Sequence, residues 1–267
     1  MAPGKIKEPN SDSDSDSNVE FEDVPIAHAD TDADADADIP IVLRPPTWTP
    51  TLSLPPQRAS PIPSGSDEET QLRGQISTGL ERVNYRKMKS DMGMDAPDTP
   101  HAQRRYESFA QLAADVEDLI DMLWVSATPA IQTEALITLA GLIESSLPSF
   151  PFSVQPTLSI LHKLDSIFAA LCTGTHPITG AALPGAVLGQ SLATETQKVR
   201  IRSLAESTRY RVFSCLGSSS STSAGFDGDE EEVYEFNEPW MLEATKVYEK
   251  CLMLLAEQDN VEVEFSC

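Results

Sequence analysis

From Tyr106 to Phe168, apolar side chains recur every three or four residues, and this spacing limits the fold more than any other feature of the chain. Phe109, Leu112, Val116, Leu119/Ile120 and Leu123 form one such row. An α-helix turns once in about 3.6 residues, so the row becomes a single stripe that must be covered by other elements. The spacing predicts a helix over 102–125, with Thr99 as its cap and Pro100 at its first turn. Thr128-Pro129 repeats that signal and opens a second helix running to about residue 146. Its apolar stripe is wide, which predicts a central position. Pro148 to Pro151 forces a break, and Gln155-Pro156 opens a third helix carrying Leu158, Leu161, Leu164, Phe168 and Leu171.

The Gly- and Pro-rich stretch from Gly174 to Gly189 reads as an ordered loop between helices. Loops of this length in compact domains often carry function, so it is a candidate partner surface. Thr194-Glu-Thr-Gln197 is a capping-box pattern, in which the Thr bonds forward and the Gln reaches back. It predicts a helix over 195–213 that gathers Lys198, Arg200, Arg202, Arg209 and Arg211. Such a run is either a solvated face or a basic strip that meets an acidic partner or an acidic tail of the same chain. These five are the candidate protein-binding residues. An acidic Ser/Gly linker follows over 217–236, then a helix over 237–258 packing back on the core, then a tail over 259–267 that frays or forms a short strand.

Charge separates this core from its flanks. Residues 101–218 carry 8 Lys/Arg against 10 Asp/Glu, whereas residues 1–100 carry 9 against 19 and residues 219–267 carry 2 against 13. Alternating Ser/Asp at 11–17 and Asp/Ala at 30–38 leaves too little apolar surface to offset the entropy of ordering. Residues 1–100 therefore read as a disordered acidic and Pro-rich region, with a marginal basic helix over 70–90 weakened by Gly74 and Gly79. The whole is an all-α reading: a small bundle of about five helices, its core domain at 101–216, flanked by disordered acidic segments. A net charge of −23 disfavours direct nucleic-acid binding and favours basic protein partners. Four scattered cysteines without an apolar leader read as reduced thiols, and no apolar run is long enough for a membrane helix.

The residues suggest no catalytic chemistry. There is no Cys-x-x-Cys pair, the four histidines are scattered, and no Gly-rich phosphate loop or nucleophile elbow is present. His162 and Asp165 lie one helical turn apart, a spacing far commoner for a structural contact than for a catalytic dyad. No catalytic, cofactor-binding or metal residues are assigned, and neither a cofactor nor a small-molecule substrate is expected.

Several segments resemble a known family. Leu119-Ile-Asp-Met-Leu-Trp-Val-Ser-Ala-Thr-Pro129, Ile131-Gln132, Phe150-Pro-Phe152, Lys163-Leu-Asp165, Leu183-Pro-Gly185 and Thr196-Gln-Lys-Val-Arg-Ile-Arg202 are similar to subunit 11 of the general transcription factor TFIIH, a fungal family. The likeness covers about 104–213 and leaves out the acidic arm. It implies a nuclear, non-enzymatic subunit that binds the DNA translocase/helicase subunit of TFIIH and promotes its dissociation after initiation. It also implies that Trp124, Phe150, Phe152 and Phe168 are core positions. The alternative, drawn from charge alone, is an acidic chaperone-like protein for basic nuclear proteins such as histones.

Overall fold

The structure, a computed structural model, describes residues 53–95, 100, 103–221 and 240–265. Among them are six long helices: α1 Asp67–Met92, α2 Phe109–Ser126, α3 Pro129–Ser146, α4 Val154–Thr173, α5 Glu195–Ser221 and α6 Glu249–Phe265. A 3-10 turn, Leu147–Ser149, follows α3. No strand occurs among the described residues, so the all-α expectation holds. None of these helices is long and apolar enough to cross a membrane.

The most enclosed helix is α4. It buries Leu158, Leu161, Leu164, Ile167, Phe168 and Leu171 on several sides at once, and it packs on α2, α3 and α6. The wide stripe of α3 does bring it against α1, α2, α4 and α5, yet α3 keeps an exposed side that α4 lacks. Two charged residues of α4 are also buried, and each is answered by another helix. Lys163 Nζ donates to Glu117 Oε1 of α2 at 2.7 Å and lies 2.6 Å from Asp121 Oδ1, an ion pair without hydrogen-bond alignment. Asp165 Oδ1 accepts the Cys251 N–H at 2.8 Å and Oδ2 the Lys250 N–H at 3.3 Å. A carboxylate from α4 thus caps the N-terminus of α6, where unpaired N–H groups and the helix dipole favour negative charge.

Helix starts follow local chemistry in part. The capping box forms as expected: Thr194 N–H donates to Gln197 Oε1 at 2.9 Å, and Gln197 N–H donates to Thr194 Oγ1 at 3.3 Å. Pro129 opens α3, but Thr128 does not cap it with its side chain. Its hydroxyl instead donates to Ser126 O and accepts the Ile62 N–H at 3.1 Å. α2 starts at Phe109, seven residues later than periodicity predicts, because 104–108 is held in a non-helical path. There Ser90 Oγ of α1 accepts the Tyr106 N–H at 2.7 Å and donates to Tyr106 O. The proposed cap Thr99 lies outside the described residues.

The folded part begins well before residue 100, which corrects the expected boundary. Residues 53–63 lie across the α2–α3 corner: Trp124 Nε1 donates to Pro55 O at 2.9 Å, and Arg58 N–H to Val125 O at 3.1 Å. α1 is a full helix rather than a marginal one, capped by Ser66 and ended by Gly93 at φ 64°. It buries Leu72, Ile76, Gly79 and Val83. Arg86 bonds Asp115 of α2 at 2.6 Å, and its guanidinium sits 4.1 Å from the Tyr106 ring centre. Tyr106 OH donates to the same carboxylate at 2.8 Å. Gly79, read from sequence as a weakness, is a contact point: a Cβ there would lie 2.4 Å from Leu119 Cδ2.

The expected helix over 237–258 is interrupted. Residues 240–245 are helical, 246–248 form a turn, and α6 then runs to Phe265, past the expected start of the tail. The break is at Tyr248, whose φ of 54° ends a right-handed helix and places its buried ring 6.2 Å from that of Phe168. α5 likewise extends to Ser221, into the expected linker. The acidic arm, residues 1–52 in all, residues 222–236 of that linker and residues 237–239 of the expected last helix lie outside the described residues.

Two outcomes follow from this packing. Gly79→Leu should part α1 from α2 and cost about 1–3 kcal/mol in urea unfolding, the usual penalty of overpacking. Burial pushes the Asp165 carboxyl up to about 6 from its ordinary 3.8, a rise only partly offset by the two α6 amides. The folded state therefore holds this proton more tightly than the unfolded chain. That contribution to stability is complete below about pH 3.8 and is lost as pH rises through about 6. Asp165→Asn should remove this slope from the pH dependence of the urea midpoint while keeping a capping oxygen.

Candidate protein-binding surface

The five basic residues of α5 are spread around the helix, and the fold gives each a bond within the chain. Lys198 pairs with Glu195 one turn away at 2.8 Å. Arg200 Nη1 meets Glu134 Oε2 of α3 at 2.6 Å, beside a Gln197 amide that donates to the other carboxylate oxygen at 2.9 Å. These two donors hold the Glu134 carboxyl below its ordinary range, the amide contributing most. Arg211 Nε meets Glu144 of α3 at 2.7 Å, and Ser207 Oγ donates to the same oxygen. On the other side, Arg202 donates to Leu255 O, and Arg209 Nη2 donates to Thr245 O at 2.6 Å. α5 is thus stapled to α3 by carboxylates and to the C-terminal segment by backbone carbonyls. Arg200 and Arg211 remain about half exposed at 46% each.

The loop between α4 and α5 is ordered by its own backbone. Gly174 ends α4 at φ 69°, and a short antiparallel bridge joins Thr175 to Ala182. His176 N–H donates to Ala181 O at 2.7 Å, Leu183 N–H to Gly174 O at 2.8 Å, and Leu192 N–H to Leu171 O at 2.8 Å. Leu183 is buried as an anchor, and the His176 ring lies edge-on to Trp124 with centres 5.6 Å apart. His176 Nδ1 accepts the N–H groups of Ile178 and Thr179, which curls the tip. What the loop presents outward is apolar: Ile178, Val187 and Leu188 are 61%, 68% and 65% exposed. The high glycine and proline content of this stretch was the sequence signal for the loop; the outward apolar tips became visible only with its backbone path.

The His162/Asp165 pair considered from spacing does not form. Asp165 faces the α6 amides, whereas His162 Nε2 has no hydrogen-bond partner among the described residues, and burial lowers the imidazole's proton affinity. No group of three or more His, Cys, Asp or Glu side chains suited to a metal occurs among the described residues. Trp124 and Phe168 are fully buried, and Phe150 and Phe152 pack partly buried against the core.

Gly174 has two reasons to be glycine, its positive φ and the Gln190 carbonyl oxygen 2.2 Å from where a Cβ would stand. Gly174→Ala should cost about 1–2 kcal/mol. Hydrogen exchange should show faster exchange of the His176, Leu183 and Leu192 amides, with α2 and α3 unchanged.

Comparison with known proteins agrees with the resemblance drawn above and reaches into the last helix. The family model described as subunit 11 of the general transcription factor TFIIH matches residues 105–256, from just before α2 into α6. No individual curated protein and no solved structure matches the chain significantly. With more than half of its length inside the family model, the chain belongs to the family of subunit 11 of the general transcription factor TFIIH.

Proposed function

We propose that this TFIIH subunit is a non-catalytic regulator that acts in the nucleus. It binds the DNA translocase/helicase subunit of the complex and promotes that subunit's dissociation after transcription initiation. The observation that carries this reading is the extent of the family match. It takes in α2 to α5 and the first part of α6, up to residue 256, which is the closed core and not a peripheral motif. A stable helical scaffold that presents a rigid apolar loop suits a protein that works by contact. In this reading Ile178, Val187 and Leu188 bury against the translocase. The half-exposed Arg200 and Arg211 are placed to exchange an internal carboxylate for one on the partner, since surface ion pairs of this kind are worth under about 1 kcal/mol. The acidic flanks add a second influence, competing with DNA for basic surfaces on the translocase.

Tagged full-length protein, incubated with nuclear extract at low salt, should recover TFIIH subunits including the translocase. Recovery of none would sink the reading. Val187→Asp with Leu188→Asp should reduce translocase recovery at least about tenfold while leaving the thermal midpoint nearly unchanged, as expected for exposed positions. Removing residues 1–52 separates this reading from the acidic-chaperone alternative. Translocase recovery should persist after that deletion, whereas a chaperone for histones would lose its basic clients.

A further inference from the structure

Residues 53–63 lie on the core as a peptide ligand would. Their sequence, Ser-Leu-Pro-Pro-Gln-Arg-Ala-Ser-Pro-Ile-Pro, holds four prolines and forms neither helix nor strand. Proline fixes its own φ and has no N–H, so such a strap favours extended backbone and offers mainly carbonyls. The core answers with a matching set of groups. Trp124 Nε1 donates to Pro55 O at 2.9 Å, and Gln57 Nε2 donates back to Trp124 O at 3.2 Å. Arg58 N–H meets Val125 O at 3.1 Å, and Ile62 N–H meets Thr128 Oγ1 at 3.1 Å. Trp124 O and Val125 O belong to the last turn of α2, where carbonyls lack intrahelical donors. At the other end Pro61 fits against Gly185 of the α4–α5 loop, where a Cβ would lie 2.7 Å from Pro61 Cγ. An aromatic side chain set against an extended proline-rich segment is a recurring mode of peptide recognition.

Two observations separate this groove from its present occupant. Trp124, Val125, Thr128 and Gly185 all lie inside the segment matched by the family model, whereas residues 53–63 lie outside it. The strap is also lightly held. Ile62 is its one buried side chain, with Leu54, Pro55, Gln57 and Pro61 half-buried and the rest exposed. Its Arg58–Glu68 ion pair is exposed on both sides and screened by water. The helices each bury several side chains, so the strap can open locally while the bundle stays closed. Opening leaves the Trp124 indole N–H and the Val125 carbonyl free for a second extended segment.

We infer that the corner formed by the end of α2, Thr128 and Gly185 is a binding groove for extended proline-rich segments, filled by residues 53–63 in the free chain and given over by exchange to a proline-rich segment of a partner protein. The bound strap specifies the partner's chemistry. It needs a proline carbonyl for Trp124, then two N–H groups four residues apart for Val125 O and Thr128 Oγ1. It also needs an apolar residue flanked by prolines, in the place of Ile62.

The test uses isotope-labelled full-length protein and an unlabelled synthetic peptide, Leu-Pro-Pro-Gln-Arg-Ala-Ser-Pro-Ile-Pro, the sequence of residues 54–63. Millimolar peptide should speed hydrogen exchange at the Arg58 and Ile62 amides several-fold, because the displaced strap loses Val125 O and Thr128 Oγ1, while α4 amides keep their rates. Fluorescence anisotropy with a labelled copy of the peptide gives the affinity. Ile62→Asp loosens the tethered competitor and should tighten peptide binding at least tenfold. Adding Gly185→Ala, which fills the notch under Pro61, should reverse that gain while the circular dichroism melt stays cooperative. A peptide with its four prolines replaced by Ala should bind at least tenfold more weakly. Unchanged exchange at Arg58 and Ile62, or equal binding by the alanine peptide, overturns the inference. Dimers of the natural chain that vanish with Ile62→Asp overturn it as well, by giving the groove to the strap of a second copy. If Ile62→Asp unfolds, the exchange measurement on the natural chain decides.

Discussion

A helix buried on nearly every side has to be surrounded, and α4 is that helix. Burying a Leu, Ile or Phe side chain is worth about 1.5–3 kcal/mol, and α4 supplies such residues in several directions. α2, α3 and α6 pack around it. Its two buried charges determine which neighbour takes which side. Lys163 can remain charged only where the α2 carboxylates reach it, and Asp165 lies where α6 begins. An unanswered charge at either position would be far costlier than a lost apolar contact. The helix that organises the core by hydrophobicity therefore also sets the order of its neighbours by electrostatics.

The same logic explains α5. Its arginines are long enough to reach both ways, and they do, to Glu134 and Glu144 on one side and to backbone carbonyls of the C-terminal segment on the other. Thr245 ends the 240–245 helical stretch, where carbonyls lack intrahelical partners, so the Arg209 guanidinium satisfies an acceptor and complements the dipole. Cations that look like a partner strip in the sequence are thus part of how the bundle closes. Outward-facing apolar residues occur at the tips of the α4–α5 loop, on the outer face of α1, and on α5 itself at Val199 and Tyr210.

That distribution bears on the chain's place in TFIIH. Under the proposed function, acting by contact calls for surfaces that stay rigid until used. The loop meets this need through Leu183, the His176 turn and Gly174, none of which faces outward as an apolar tip. α1 meets it through the Arg86–Asp115–Tyr106 arrangement, which fixes the inner side of the helix and leaves the outer side unused. The loop lies within the segment matched by the family model, and α1 lies outside it.

The elements readable from residues alone were those governed by neighbours in sequence. Apolar rows at helical spacing announced α2, α3 and α4, Pro129 marked a helix start, and Thr194 with Gln197 capped α5 as their types require. The glycine and proline between α4 and α5 marked the loop for the same local reason. What those signals could not carry was any contact made across the chain. Gly79 looked like a flaw until Leu119 was seen to fill the space. Thr128 had the right type for a cap but was taken by Ile62 and Ser126. Asp165 had a histidine one turn away and instead bonded a helix 85 and 86 residues distant. The break at Tyr248 lies inside a good helical pattern, where only packing against Phe168 and its neighbours can hold a positive φ. Helix formation depends on residues three and four apart and is written in order along the chain. The choice of partner for a buried charge, a close glycine or a strained turn depends on which surfaces meet, and that is decided only when the helices pack.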